Sequence, residues 1–157
     1  MSKLYSIEFT QKIPADLDTL WDFISSPRNL KTITPPHMGF EITTRLDSET
    51  MYPGQIIAYK VSPLLGIKME WVTEITHVQD KHYFVDEQRF GPYALWHHKH
   101  FFQPIENGVL MTDIIHYKIP FGFLGDIAQG LLVKPQLEKI FAYRFKKLED
   151  MYGKFEE

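Results

Sequence analysis

Two histidines and two aspartates in the second half of the chain are spaced so that they could act together in proton transfer or metal binding. His98 and His100 are two positions apart, so on a β-strand both imidazoles point to the same face. Asp86 and Asp113 lie at distances along the chain that two hairpins would bring beside them. An imidazole beside a carboxylate can accept and return a proton near neutral pH, as an aldol-type cyclisation requires. The same donor atoms suit zinc or iron.

The strands that would position these residues are separated by recognisable turns. Asn107-Gly108 lies between alternating apolar runs and predicts a tight hairpin turn, which sets Glu106 opposite Val109. Counting outward from this turn gives the pairs Phe102 with Asp113, His100 with Ile115 and His98 with Tyr117, and places Lys99 beside His116. The two histidines and Asp113 therefore share one face of the predicted sheet.

A second turn, at Gly91-Pro92-Tyr93, returns the chain to the preceding strand and keeps even-numbered residues on that face. It brings two more pairs together: Asp86 close to His98, and Phe84 close to His100. A further turn at Asp80-Lys81 adds every second residue of the strand before: Met69, Trp71, Thr73, Ile75 and His77. The predicted sheet thus extends over several strands, and the side chains named above all point to the same face.

The two faces of this sheet differ in composition. One is aromatic with a few polar groups set into it, and carries Met69, Trp71, Ile75, Phe84, Asp86, Gln88, Trp96, His98, His100, Phe102, Met111, Asp113, Ile115 and Tyr117. The other suits water and carries Glu70, Glu74, Glu87, Arg89, His97, Lys99, Gln103, Thr112 and Lys118. When one face of an antiparallel sheet is exposed to solvent, the other face must be covered by apolar groups from other elements. We therefore expect the aromatic face to be buried.

The remaining segments supply the elements around this sheet. Alternation over residues 3–13 predicts a first strand, and Pro14-Ala15-Asp16 opens a helix whose buried stripe is Leu17, Leu20, Trp21 and Ile24. A second short helix is expected over 26–33, then strands over 39–45 and 55–62. After Pro120 the pattern is helical, with a kink or break at Lys134-Pro135 and with Arg144 on the buried stripe.

Composition limits the classes of function. The chain has 157 residues, 44% of them hydrophobic, and is expected to form one domain over 1–157 with a substantial core. Its net charge of −3, without a basic stripe, argues against a nucleic-acid partner. No cysteine, no signal peptide and no apolar stretch of membrane-spanning length occurs, so a soluble cytoplasmic protein is expected.

The element order β-α-α-β6-α and two sequence runs resemble a known superfamily. The runs are Asp-Glu-Gln-Arg-Phe-Gly-Pro-Tyr at 86–93 and Trp-His-His-Lys-His-Phe-Phe at 96–102. They are similar to the SRPBCC superfamily, the group of START, birch-pollen-allergen and polyketide cyclase/dehydrase proteins, and to its bacterial ligand-binding branch. The resemblance implies the α+β helix-grip fold, a curved antiparallel sheet of about seven strands wrapped on a long C-terminal helix, with two short helices after strand 1. It also implies a hydrophobic ligand beneath that helix.

Three functions remain open on this basis. The leading hypothesis is a binding protein for a lipophilic small molecule, whose candidate contacts are Trp71, Phe84, Asp86, Gln88, Trp96, His98, His100, Phe102, Asp113, Tyr117 and Arg144. The first alternative is a cyclase/dehydrase-type enzyme using His98, His100, Asp86 and Asp113, although no other common enzyme motif is present. The second is a protein-interaction module of the co-chaperone type. We expect no metal and no cofactor, since the register gives each imidazole its own carboxylate.

Overall fold

The computed structural model describes residues 3–157 as a seven-stranded sheet gripping a C-terminal helix. The strands are β1 (Tyr5–Ile13), β2 (Glu41–Ile42), β3 (Gln55–Val61), β4 (Met69–Gln79), β5 (Tyr83–Phe90), β6 (Leu95–Ile105) and β7 (Gly108–Lys118). The α-helices are α1 (Leu17–Ile24), α2 (Gly122–Ala128) and α3 (Lys134–Tyr152). All neighbouring strands pair antiparallel in the order β1-β7-β6-β5-β4-β3-β2. The predicted helix-grip fold is confirmed.

The predicted assignment of side chains to the two faces of the sheet is confirmed except after Ile75 in β4. Trp71, Phe84 and Ile115 are buried on the inner face, whereas Glu70 is exposed on the outer face. Lys99, also on the outer face, is partly exposed. The inner face packs against α3, whose buried residues are Leu137, Phe141 and Leu148. The sheet and α3 together therefore form the core.

Helix α1 closes one end of the inner face. Its N-cap is Asp16, whose side chain accepts a hydrogen bond from the Thr19 amide at 2.9 Å. The stripe of Leu20, Trp21 and Ile24 is buried as predicted. The Trp21 ring meets those of Phe84 and Phe102 edge-on, so this end of the sheet is filled by packed side chains.

Three elements differ from the expectation. The second helix is a short 3₁₀ helix, Pro27–Lys31, followed by another at Pro36–Met38. The strand expected over 39–45 is limited to Glu41–Ile42, because Thr43 and Thr44 both direct their amides to the carbonyl of Ala58 and the ladder ends there. The C-terminal region stays helical through a π-helical turn, Gln129–Val133, and Pro135 lies in the first turn of α3, where a missing amide is tolerated.

The β6–β7 register is two residues away from the prediction. The turn is Glu106-Asn107, with positive φ at Asn107 only, and Gly108 already pairs with Ile105 in the ladder. The inner-face pairs are Trp96–Tyr117, His98–Ile115, His100–Asp113 and Phe102–Met111. Glycine at position 108 allows β7 to lie close to β1, because a Cβ there would lie 2.2 Å from the carbonyl oxygen of Ile13.

A β-bulge in β4 places His77 on the outer face of the sheet, and not on the inner face as predicted. The β4–β5 pairing is Ile75–Asp86 on one side of the irregularity and His77–Val85 on the other. The extra residue turns His77 to the outer face, where it is exposed, and Val78 pairs with Phe84 instead. The prediction that His77 shares the inner face is therefore wrong.

Candidate functional site

A cavity of about 140 Å³ lies between the inner face of the sheet and α3. Side chains from β3, β4, β5, β6 and α3 line it, together with residues from the segment between α1 and β2. Its volume is close to that of an engineered cavity of roughly 150 Å³ that binds benzene, and below the roughly 300 to 1,000 Å³ of sites for drug-sized ligands. The space fits a compact molecule of about one ring.

The wall of the cavity is mainly aromatic. Trp71 meets Trp96 edge-on at a centroid distance of 5.3 Å and stacks with Tyr59 at 6.0 Å. Tyr93 closes the group, at 5.6 Å from Trp71. Burial raises the pKa of both tyrosines far above the ordinary value, so both rings stay neutral. These packed rings give the wall a fixed shape.

The polar corner of the cavity consists of two imidazoles on β6 between two carboxylates, Asp86 on β5 and Asp113 on β7. His98 Nε2 donates to Asp113 Oδ1 at 2.8 Å, and His100 Nε2 donates to Asp86 Oδ2 at 2.7 Å. His100 Nδ1 lies 2.9 Å from Asp113 Oδ1, whereas His98 Nδ1 lies 3.6 Å from Asp86 Oδ2. Each carboxylate therefore faces both imidazoles, and the expectation of one carboxylate for each histidine is not met.

The pKa values of the two histidines are shifted in opposite directions. Burial opposes protonation of both, but the hydrogen bonds and charges of Asp113 and Asp86 outweigh it at His100 and raise its pKa. At His98, burial and the neighbouring charge of His100 lower the pKa. Burial would raise the pKa values of the two aspartates, yet contacts with the imidazoles keep both carboxylates ionised. The surroundings thus favour the cationic form of His100 and the neutral form of His98.

Arg144 of α3 brings a second cation to this corner. Its Nη1 is 3.7 Å from Asp113 Oδ1, and its guanidinium lies over the Phe141 ring at 4.7 Å. Its buried Nε has no hydrogen-bond partner within residues 3–157. The guanidinium lines the cavity and retains hydrogen-bonding capacity.

The structure brings most of the predicted contact residues together. The cavity is lined by Trp71, Phe84, Asp86, Trp96, His98, His100 and Arg144. Asp113 lies directly behind the imidazoles and is 1% exposed. Stacking of Phe84 on His100, at a centroid distance of 4.1 Å, fixes the position of that imidazole.

Three predicted contact residues lie outside the cavity lining. The amide of Gln88 binds both the backbone N–H and the carbonyl of Tyr93, and so holds the β5–β6 turn. Phe102 packs against Trp21 in the filled end of the core. The Tyr117 hydroxyl accepts a hydrogen bond from Gln129, away from the polar corner.

Sequence reasoning missed much of the opposite wall. The lining residues that were not among the predicted contacts are Leu30, Thr34, Met38, Phe40, Met51, Ile57, Tyr59, Val61, Pro63, Thr73, Ile75, Tyr93, Leu137, Ile140 and Phe141. Alternation in β3, which directs Ile57, Tyr59 and Val61 inward, was the available signal for three of them. Met38 ends a three-residue 3₁₀ helix and Phe40 precedes β2, and in neither place is there a period long enough to indicate the direction of a side chain.

The fold and the site define a helix-grip protein with an aromatic cavity and a His/Asp corner. Ginseng major latex-like protein 151 from Panax ginseng is similar, with a TM-score of 0.70 at 13% identity, over 95% of this chain and 97% of that chain. TTHA0849 from Thermus thermophilus gives 0.67 at 16% identity, over 93% and 95%. Protein Ms6760 from Mycobacterium smegmatis gives 0.65 at 18% identity, over 93% and 89%. At these identities the likeness shows the shared fold.

Sequence comparison adds no closer relationship. No protein-family profile matches the chain, and a search of curated proteins finds no similar sequence. Within residues 3–157, none of the helices combines the length and the apolar character needed to cross a bilayer. Function must therefore be argued from the geometry of the cavity.

Proposed function

We propose that this protein binds a compact lipophilic molecule in the cavity beneath α3, as a member of the ligand-binding branch of the SRPBCC superfamily. The shared fold and the sequence run through residues 86–102 support the superfamily. The observation that carries the binding function is the combination of aromatic walls with one polar corner in a space of about 140 Å³. Sites for small molecules have this composition.

The expected ligand has one ring and one oxygen-bearing group. The ring fits against Trp71 and Trp96, and the oxygen reaches Arg144, the cation in the cavity lining whose Nε has no hydrogen-bond partner among residues 3–157. A hydrogen bond to a charged group contributes about 1.5 to 3 kcal/mol, which corresponds to about a tenfold or greater gain in affinity. The polar corner therefore selects among ligands of equal size.

Calorimetric titration with toluene, phenol and benzoate tests this function, because the three probes share a ring and differ in the polar group. We expect phenol and benzoate to bind about tenfold or more tightly than toluene. Equal affinity of all three probes would show that the polar corner does not contact the bound molecule. No binding of any probe would overturn the function itself and favour the protein-interaction module.

A matched pair of variants locates the bound probe. Ile57 lines the cavity and is 1% exposed, whereas Ile56 points outward from the same strand and is 50% exposed. Ile57→Phe should fill the cavity and lower phenol affinity at least tenfold, and Ile56→Phe should leave it unchanged. Overpacking costs about 1 to 3 kcal/mol, so circular dichroism must first show that Ile57→Phe is folded. An equal effect of both variants would place the probe elsewhere.

One observation favours an enzyme of the cyclase/dehydrase type as the second candidate. Because His98 Nε2 donates to Asp113, the lone pair of a neutral His98 is on Nδ1, which has no hydrogen-bonding neighbour among residues 3–157. A neutral imidazole held by a buried carboxylate is the arrangement of a general base. Nitrogen NMR of the labelled protein should show a protonated Nε2 and a bare Nδ1. The opposite tautomer would exclude this role for His98.

A further inference from the structure

We propose that Asp86, His98 and His100 form a binding site for a divalent first-row transition metal ion, positioned by Asp113. Three potential ligand atoms, one from each of these residues, lie within 4.8 Å of one another at the cavity. A two-histidine, one-carboxylate set suits zinc or iron(II) rather than calcium or magnesium, which prefer oxygen ligands alone. This site goes beyond the proposed binding function and does not depend on it.

The separations around Asp86 are close to those of a coordinated ion. Ligand atoms about 2.0 to 2.2 Å from one metal are about 3 to 3.5 Å apart. Asp86 Oδ2 is 2.7 Å from His100 Nε2 and 3.6 Å from His98 Nδ1, so the two distances bracket that range. A metal ion would replace the hydrogen that lies between Asp86 and His100. The ligand atoms of His98 and His100 lie within 4.8 Å of each other, and movement of the rings toward the ion would complete the site.

The strongest support is the carboxylate behind the two imidazoles. The ring nitrogens that face away from Asp86, His98 Nε2 and His100 Nδ1, both approach Asp113 Oδ1, at 2.8 and 2.9 Å. Metal-binding histidines usually direct the second ring nitrogen to a carboxylate or carbonyl in this way, which fixes the ring and its tautomer. Here one buried oxygen orients both rings. An ion-pair cluster alone would leave His98 Nδ1 without a hydrogen-bond partner, whereas coordination uses it.

Three protein ligands leave coordination positions for another group. In catalytic zinc sites such a position takes water or substrate, whereas structural sites are closed by four protein ligands. The site borders the aromatic cavity, so an oxygen donor on a bound ring compound can reach the ion. The chemical class of ligand that fits is therefore a compact aromatic molecule with a carboxylate, phenolate or enolate oxygen.

Titration of chelator-treated protein with Zn²⁺ tests the site without any organic ligand. We expect one Zn²⁺ ion per chain, with binding lost in Asp86→Asn, His98→Gln and His100→Gln. Asp113→Asn should retain the ion but bind it about 10- to 100-fold more weakly, the usual effect of removing a group that orients a ligand. A purely structural Asp113 would alter the thermal midpoint without altering Zn²⁺ affinity in the folded protein.

The outer face supplies the control. His97 Nδ1 lies 2.6 Å from Glu87 Oε1, and the centroids of the His97 and His116 rings are 6.5 Å apart. This group could therefore also bind zinc. The double variant His97→Gln/His116→Gln should bind Zn²⁺ as the unaltered protein does. Loss of the ion in this variant, or no stoichiometric Zn²⁺ in the unaltered protein, overturns the proposal.

A measurement on the unaltered protein keeps the test valid if the buried variants do not fold. Co²⁺ is paramagnetic and broadens NMR signals close to it. Phe84 stacks on His100 and Phe141 lies 5.9 Å from His98, so both rings should lose their signals when Co²⁺ is added. Unchanged signals from both rings in the presence of bound Co²⁺ would overturn the proposal.

Discussion

Replacing Asp113 with asparagine tests whether its buried charge holds the polar corner together. The carboxylate is 1% exposed, accepts a hydrogen bond from His98 and lies 2.9 Å from His100 Nδ1. Asparagine has nearly the same size and keeps one acceptor oxygen, so the substitution removes the charge. Its NH2 group takes the place of Oδ2, which is buried without a hydrogen-bond partner among residues 3–157. A loss of stability therefore reports the electrostatics of the cluster together with the cost of burying these donors.

The expected loss follows from these contacts. A hydrogen bond to a charged group contributes about 1.5 to 3 kcal/mol and a neutral one about 0.5 to 1.5, so each of the two imidazole contacts loses about 1 to 1.5 kcal/mol. The attraction of Arg144 Nη1 at 3.7 Å is also lost, whereas the desolvation of a carboxylate no longer opposes folding. We expect Asp113→Asn to lower the free energy of unfolding by about 2 to 4 kcal/mol.

Urea denaturation followed by far-ultraviolet circular dichroism, in the presence of a chelator, measures this loss. Thr112→Val is the matched control, since Thr112 is the preceding residue of β7 and points to the outer face. The control should change stability by no more than about 0.5 kcal/mol. An equally small loss in Asp113→Asn, or a gain in stability, would refute the reasoning. It would mean that burying the carboxylate costs as much as its contacts contribute.

Two further predictions concern the backbone. Gly108→Ala should lower stability by about 1 to 3 kcal/mol in urea denaturation, because its Cβ would meet the Ile13 carbonyl, whereas Gly130→Ala, with nothing within 4 Å, should not destabilise. An equal loss in both variants would contradict this account of Gly108. Val78→Asp should destabilise by about 3 kcal/mol or more and His77→Asp by less than about 0.5, measured by thermal denaturation. The reverse order would disprove the bulge in β4.

The inner face of the sheet was predictable because side chains alternate with a period of two. The predicted register at Asn107 is wrong by two residues, and an even displacement leaves every side chain on its face. The bulge before His77 inserts one residue, an odd displacement, and reverses the faces of the residues after it in β4. Alternation alone did not indicate that bulge.

The boundary between core and cavity was not predictable. Phe84 and Phe102 both lie on the inner face and both meet Trp21 of α1, yet Phe84 also lines the cavity and Phe102 does not. That difference depends on where α1 lies across the sheet, which no local period encodes. Gln88 was placed on the correct strand, but its amide hydrogen bonds to Tyr93, a contact that depends on the shape of the turn.

The pattern of contacts in the polar corner follows from the lengths of the side chains. Directly opposed Cβ atoms of an antiparallel pair are about 4.5 to 5.5 Å apart, and diagonal neighbours are about 7 to 8 Å apart. The near nitrogen, Nδ1, therefore faces the carboxylate directly opposite, as His98 faces Asp86 and His100 faces Asp113. The far nitrogen, Nε2, reaches the diagonal carboxylate, as His98 reaches Asp113 and His100 reaches Asp86.

Each carboxylate faces both imidazoles, but Asp113 lies within 2.9 Å of both rings, whereas Asp86 is 2.7 Å from His100 and 3.6 Å from His98. Burial separates their roles further. Asp113 is 1% exposed at its side chain and has Arg144 beside it, whereas Asp86 is 16% exposed and lines the cavity. A group entering from the cavity therefore meets Asp86 and the ring nitrogens turned toward it. Asp113 can act only through the imidazoles that it holds. The corner consequently has one aspartate suited to contact a ligand or metal and one suited to position the histidines.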